Sequence, residues 1–258
     1  MSMGGHDTYT IRRVTEADDE AIRTIAEDNP DEGEISFAPR IKASPYRISR
    51  TITPETIGFL AETPDGEPAG TGTVGFFTAR VGGDLRQCAY LNNLAVASDH
   101  RENGLAKRLA TRRIDAAESR YDDCVIWANI QKGNEPSKAV AETWADQFTY
   151  TTSTLSLEPK SNPDSTSAYD IREARRDELS DVAEQVNDFY ADAELFSPYT
   201  AEKIAGRLDR TPVEEPIRTY LIALDGDDIV AGADVIDVYK AMYMAVESDG
   251  DVPPSFPD

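Results

Sequence analysis

The chain has 258 residues, and its 48 acidic and 26 basic side chains give a formal charge of −22 at pH 7. Such an anionic surface argues against proteins that bind nucleic acid through its phosphates. No stretch approaches the roughly 20 apolar residues needed to span a bilayer, so a membrane-embedded protein is not expected either. The length suffices for two ordinary domains.

The first elements predict short strands alternating with helices. Residues 9–13 alternate as a strand, and residues 15–25 combine a capping residue, early acids and the apolar spacing of a helix. We interpret residues 28–53 as a long loop or a broken helix. Residues 57–62 and 69–81 flank a Pro and Asp-Gly turn, which is typical of a hairpin.

The most informative segment follows a further predicted strand at residues 87–96. Arg101-x-x-Gly104-x-Ala106 leads from that strand into an amphipathic helix. The first amides of a helix lack intrahelical partners and carry partial positive charge, and Gly104 and Ala106 keep the turn free of bulk. Arg101 adds a fixed charge, so the junction is suited to bind a pyrophosphate.

The pattern continues with a buried strand at residues 124–130, a helix at 134–148 and a strand at 149–157. The Arg101-x-x-Gly104-x-Ala106 motif and this element order resemble the GNAT acetyltransferases over about residues 9 to 157. The resemblance implies an α/β (α+β) fold with a mixed, mostly antiparallel central sheet flanked by helices. It also implies acetyl-CoA as cosubstrate, no metal, and direct attack of a primary amine, on a small molecule or a protein, on the thioester.

The resemblance further implies a set of cofactor-binding residues. Backbone amides near Leu94 to Val96 polarise the thioester carbonyl, and Asn134 and Ser137 contact the cofactor arm. The full set is Leu94, Ala95, Val96, Arg101, Glu102, Asn103, Gly104, Leu105, Ala106, Lys107, Asn134 and Ser137.

The candidates for proton transfer depart from the family pattern. A Glu on a central strand is the usual base, whereas Asn92 and Asn93 stand near that position here and Glu62 ends an earlier strand. Trp144 stands where an aromatic hydroxyl usually protonates the thiolate, and an indole cannot act as an acid. Tyr150 or water replaces it, or no dedicated acid is needed.

The acceptor is expected to lie against residues 28–53, with Arg40 and Tyr46 as candidate binding residues. Arginines of this segment either bind a carboxylate of the acceptor or pair with nearby acids.

An internal repeat predicts a second unit. Tyr9-Thr-Ile-Arg12 matches Tyr169-Asp-Ile-Arg172, and each is followed by an acid-rich helix. The second copy has no Arg-x-x-Gly-x-Ala, so it is not expected to bind CoA. Its unpaired sheet edge is covered by the first domain or by another chain, as in a homodimer, and a truncated gene product is the other explanation. The predicted boundaries are 1–158 for the acetyl-CoA domain, 159–168 for a linker, 169–247 for the partial GNAT-like unit and 248–258 for an acidic, Pro-rich tail.

Composition also indicates the setting. The chain has seven Lys and nineteen Arg and is rich in Asp, and this composition resembles that of proteins from halophilic archaea that accumulate salt. Two cysteines in apolar runs and the lack of a basic apolar leader predict a cytoplasmic, reduced protein. The competing interpretation of function is a non-catalytic CoA-binding regulatory or dimerisation module.

Overall fold

The computed structural model describes residues 9–32, 36–53, 55–149, 151 and 168–246. Its strands and helices are, in chain order, β1 Thr10–Arg13, α1 Asp19–Asp28, β2 Asp31–Glu32, β3 Ser36–Ile41, α2 Pro45–Ile52, β4 Glu55–Glu62, β5 Pro68–Val81, β6 Asp84–Val96, α3 Leu105–Glu118, β7 Val125–Trp127, α4 Glu135–Ala141, β8 Asp170–Glu173, α5 Leu179–Phe189, α6 Ala201–Leu208, β9 Arg218–Asp225, β10 Asp228–Ile236 and β11 Met242–Val246.

The central sheet has the strand order β1-β4-β5-β6-β7. The pairs from β1 to β6 are antiparallel, and β6 and β7 are parallel. Leu105 and Leu109 of α3 are buried against Val74 and Leu91 of the sheet. The expected α/β fold with a mixed, mostly antiparallel sheet is therefore confirmed.

An ion-pair cluster fixes β1 to the start of α1. Arg12 donates two hydrogen bonds to the carboxylate of Asp18, at 2.9 and 2.7 Å, and two to that of Glu62, at 2.9 and 2.7 Å. Asp18 also accepts from the backbone N–H and the hydroxyl of Thr15. These bonds hold the pKa of Asp18 well below its usual range, with Arg12 as the largest cause.

Residues 168–246 form a second, smaller unit. The sheet β10-β9-β8 is antiparallel, and α5 and α6 pack against it through a separate apolar core. Arg172 binds Glu178 six residues later, just as Arg12 binds Asp18. The predicted tail at 248–258 lies outside the described residues, as does the predicted linker at 159–168 apart from Ala168.

A third sheet connects the two units. Its order is β11-β3-β2, so the last strand of the second unit pairs with a strand of the first. The backbone amides of Lys42 and Ala43 also donate to the carbonyl of Ala241. Within the described part of the chain, β10 is an edge strand that pairs with β9 alone.

Two elements differ from the expectations. Residues 28–53 form the strand β3 and the helix α2, which begins where Ser44 Oγ accepts from the amide of Arg47 at 3.2 Å. The helix predicted at residues 134–148 ends at Ala141, because the following residues make tight turns that bring Trp144 against the core. The strand expected at 149–157 falls almost wholly outside the described residues. In the part of the chain that is described, no helix is long and apolar enough to cross a bilayer.

Candidate active site

The turn between β6 and α3 (residues 97–104, the β6–α3 turn) has the form expected for an anion site. Gly104 caps α3 with φ +72°, a left-handed conformation, and open space lies where a Cβ would be. The first turn of α3 contains no acid and includes Lys107 and Arg108. Because the first helical amides have no intrahelical acceptor, this end of α3 presents donors and positive charge.

The strand before that turn separates from its neighbour. Pairing between β6 and β7 ends at Tyr90 and Trp127, and among the described residues no strand pairs with the later part of β6 on that side. A β-bulge follows, in which Thr73 pairs with Asn92 and Thr71 with Ala95. The bulge leaves residues 93 and 94 without a register partner on β5, and the pairing resumes at Ala95 and Val96.

One large cleft joins these two features. Its volume is about 990 Å³, and its lining includes the open edge of β6, the β6–α3 turn and the start of α4. The predicted cofactor residues that line it are Leu94, Ala95, Val96, Arg101, Glu102, Gly104, Leu105, Ala106, Lys107, Asn134 and Ser137. Asn103 is outside this lining and donates to the carbonyl of Arg101 at 3.1 Å.

Asn134 begins α4 at the edge of the cleft. Its Oδ1 accepts the backbone N–H of Ser137 at 2.9 Å, and the residue is buried. This cap fixes the first turn of α4, so Ser137 is held at the cleft surface.

The three candidate proton-transfer residues have different positions. Asn92 lines the cleft, and its Oδ1 accepts a hydrogen bond from the hydroxyl of Thr73. Glu62 is not part of the lining, and both its carboxylate oxygens accept hydrogen bonds from Arg12. Tyr150 lies outside the described residues. Among the described residues that line the cleft, Glu102 has the only carboxylate.

The arginines of residues 28–53 are largely used within the protein. Arg47 pairs with Glu16, and Arg50 donates to the carbonyls of Tyr46 and Thr56. Arg40 donates to backbone carbonyls and does not line the cleft, whereas Tyr46 does.

A buried arginine was not predicted. Arg113 of α3 is 3 % exposed, and its guanidinium donates to the carbonyls of Leu109 and Asn92, each at 3.1 Å. No carboxylate in the described part of the chain pairs with it, and burial lowers its pKa to about 10. Gly72 makes room, since a Cβ there would lie 3.2 Å from Arg113 Nε. Arg113 also lines the cleft, and its hydrogen bond to the Asn92 carbonyl ties α3 to the start of the bulge.

The spacing of α3 contained a signal for this residue. Leu109, Arg113 and Ala117 are four residues apart and all three are buried, so they share the inner face of α3. An arginine in this otherwise apolar row breaks the hydrophobic pattern, and that break is the sequence signal for a buried arginine.

Among the described residues, Cys124 and His100 are not arranged as a second reactive centre. Burial raises the pKa of the Cys124 thiol to about 11, so it is protonated at neutral pH. His100 lines the cleft, and its Nδ1 lies 3.1 Å from the hydroxyl of Tyr9. Within the described residues, no group of three or more His, Cys, Asp or Glu side chains is arranged to hold a metal ion.

Part of the sequence matches a known protein family. The family model described as acetyltransferase (GNAT) family matches residues 20–145. No curated protein matches the sequence.

Solved structures that superpose on the chain include three acetyltransferases. An aminoglycoside antibiotic 6'-N-acetyltransferase from Acinetobacter haemolyticus is 15% identical and has a TM-score of 0.45, with 58% of this chain and 99% of that chain covered. A predicted acetyltransferase with acetyl-CoA from Clostridium acetobutylicum is 19% identical and has a TM-score of 0.43, with 58% of this chain and 96% of that chain covered. A ribosomal-protein-alanine N-acetyltransferase from Brucella melitensis biovar Abortus is 16% identical and has a TM-score of 0.42, with 58% of this chain and 99% of that chain covered.

The family match covers β4 to β7 of the central sheet, the β6–α3 turn, α3 and α4, and it contains all the predicted cofactor-binding residues. Residues 20–145 thus match the GNAT acetyltransferase family, and the domain that contains them has the GNAT α/β fold.

Proposed function

We propose that this domain transfers an acetyl group from acetyl-CoA to a primary amine. One observation carries the proposal: a single cleft is lined both by the Gly104 turn and by the open bulge of β6. The first suits a pyrophosphate, and the second offers backbone donors to a carbonyl oxygen. A cofactor with an anionic end and a reactive acyl end fits both at once.

The proposed binding mode follows the order of these groups along the chain. The pyrophosphate would lie at Arg101 and the first amides of α3, and the cofactor arm along Leu94 to Val96. The thioester carbonyl would accept from amides of the bulge. Arg113 donates to the Asn92 carbonyl, next to the bulge, so those donors would be held in place before the reaction.

In the proposed reaction the amine nitrogen attacks the thioester carbon, and the C–N bond forms as the C–S bond breaks. The amine loses a proton, and the departing sulfur gains one or leaves as thiolate. Orientation of the two reactants in the cleft supplies much of the acceleration.

We propose that water removes the amine proton. Glu62 is occupied by Arg12, and an amide such as Asn92 is neutral and has no basic group in the physiological range. Asn92 would then orient the amine or the water. Tyr150 remains a candidate for the acid.

We also propose that the second unit is a partial, non-catalytic copy. The matching Arg172–Glu178 and Arg12–Asp18 pairs and the matching strand orders support a duplication. The exposed side chains of Val230 and Ile236 on the edge strand β10 support a homodimer through this unit. The composition supports a salty cytoplasm as its setting.

The test is turnover. The protein is incubated in molar KCl with acetyl-CoA and a panel of primary amines, free thiol is measured, and the acetylated amine is identified by mass spectrometry. We expect thiol release that depends on both the amine and the enzyme and matches the product formed. Cofactor binding without any turnover across the panel would contradict the proposal and support a CoA-binding regulatory module.

A further inference from the structure

The second unit contributes directly to the cleft. Strand β11 pairs with β3 in the register Met242 with Ile41 and Met244 with Pro39. Met242 and Met244 both line the cleft that contains the β6–α3 turn. A strand about 200 residues distant in sequence thus forms part of the wall.

This wall is one face of a two-stranded ribbon. Side chains alternate between the faces of a strand, and the cleft receives the alternate residues Phe37, Pro39, Ile41, Met242 and Met244. The residue between the two methionines, Tyr243, is not part of the lining. Its ring lies 5.6 Å from that of Tyr239 and 5.2 Å from Lys42 Nζ.

The chemistry of the wall limits what it can hold. All five of these side chains are uncharged and apolar, and Ile48 and Ile52 of α2 extend the surface. The one carboxylate of the described lining, Glu102, belongs to the β6–α3 turn, and Arg50 places a cation near the wall. A polycationic amine would therefore find no anionic partner here, whereas a hydrocarbon chain would lose water-exposed area.

We propose that β11 completes the acceptor site and that the acceptor is a primary amine attached to an extended apolar group, which lies against Met242 and Met244. This rests on the proposed acetyl transfer. It adds the class of acceptor and gives the second unit a role in specificity.

The first experiment measures kcat/KM for acetyl transfer to ethylamine, butylamine, hexylamine and octylamine, with spermidine as the polycationic comparison. Each buried methylene contributes about 0.8 kcal/mol in transfer free energy, so we expect kcat/KM to rise about threefold to fourfold per methylene until the wall is covered. A flat series, or a preference for spermidine over octylamine, would overturn the proposal and leave acetyl transfer intact.

The second experiment uses the double variant Met242→Gln/Met244→Gln, which keeps side-chain length and replaces the thioether by an amide. We expect at least a tenfold loss of kcat/KM for octylamine, a smaller loss for ethylamine and an acetyl-CoA Kd within about twofold of the parent. Tyr243→Gln is the matched control, because it changes the same strand on its other face. An equal loss in the control would mean that β11 acts only through folding and would refute a role of the methionines in the site.

Calorimetric titration of octylamine, with and without CoA, separates the two proposals. Saturable binding that weakens in the double methionine variant and persists in Tyr243→Gln supports the apolar site even if no amine is acetylated. Equal binding to all three proteins overturns the site even if turnover is observed.

Discussion

At the scale of single residues, the parts of the site differ in how far sequence predicts them. Gly104 and Arg101 can be proposed from the sequence alone, because a phosphate needs a free backbone and a nearby charge within a few residues. The environment of Glu62 was not predictable from its neighbours, because Arg12, which binds it, is 50 residues earlier. Arg113 was missed because arginine is usually exposed.

The first prediction concerns the variant Glu62→Gln. Since Arg12 occupies this carboxylate outside the cleft lining, we expect kcat/KM within about threefold of the parent across the pH profile, and a free energy of unfolding lower by about 1 kcal/mol. Steady-state kinetics and denaturant unfolding check both, with Glu67→Gln in the neighbouring exposed turn as control. Loss of a general base would instead cost roughly 100-fold or more and change the pH profile, which would restore Glu62 as the base.

At the scale of elements, local patterns predicted the central sheet and α3 and failed for β3 and β11. Residues 28–53 were expected to form a long loop or a broken helix, and proline, which lacks a backbone N–H, is uncommon inside a sheet, so Pro39 gives no local sign of a strand. Pro39 pairs with Met244 of β11, a strand of the second unit, whereas the described pairing of β3 with β2 is confined to Ser36 and Phe37. Pairing between segments so distant in sequence leaves little trace in either one.

The second prediction concerns the connection between β1 and α1. Arg12 lowers the pKa of Asp18, so the pair stabilises the fold above the unfolded pKa, near 4, and this contribution is lost as pH falls further toward the depressed folded value. We expect Asp18→Asn to lower the free energy of unfolding by about 1–3 kcal/mol at pH 7. The difference from the parent should shrink below about pH 4.

Unfolding by denaturant at a series of pH values measures this difference, with Asp65→Asn in the exposed hairpin turn as control. A difference that grows in acid, or that is equally large for Asp65→Asn, would contradict the role assigned to the Arg12–Asp18 pair.

At the scale of the whole molecule, the two properties that matter most for stability are the net charge and the contact between the two units. The acidic side chains that give the net charge of −22 repel one another, and each exposed ion pair stabilises the fold by at most about 1 kcal/mol. Composition predicted this property directly, because it requires no knowledge of the fold. The contact between units was not predictable in the same way, since it depends on hydrogen bonds such as that from the amide of Arg80 to the carbonyl of Phe196, at 2.9 Å.

The third prediction follows from that charge. The Debye length falls from about 10 Å at 0.1 M salt to about 3 Å at 1 M, so repulsion between surface carboxylates weakens. We expect Tm to rise by several degrees or more between 0.1 M and 2 M KCl, and the fold to be lost first at low salt. Circular dichroism during heating measures this. NaCl should raise Tm as much as KCl does, and sucrose, which does not screen charge, should raise it much less. A Tm that stays constant or falls as KCl is added would contradict a salt-adapted surface.

The measurement that tests the account most directly is calorimetric titration with acetyl-CoA in molar KCl, on the parent protein and on Gly104→Asn and Gly104→Asp. Both substitutions tolerate φ +72° and meet open space, and they differ in charge alone. We predict saturable micromolar binding by the parent and binding at least tenfold weaker for Gly104→Asp than for Gly104→Asn. No binding by the folded parent, or equal affinities of the two variants, would contradict a pyrophosphate site at the β6–α3 turn.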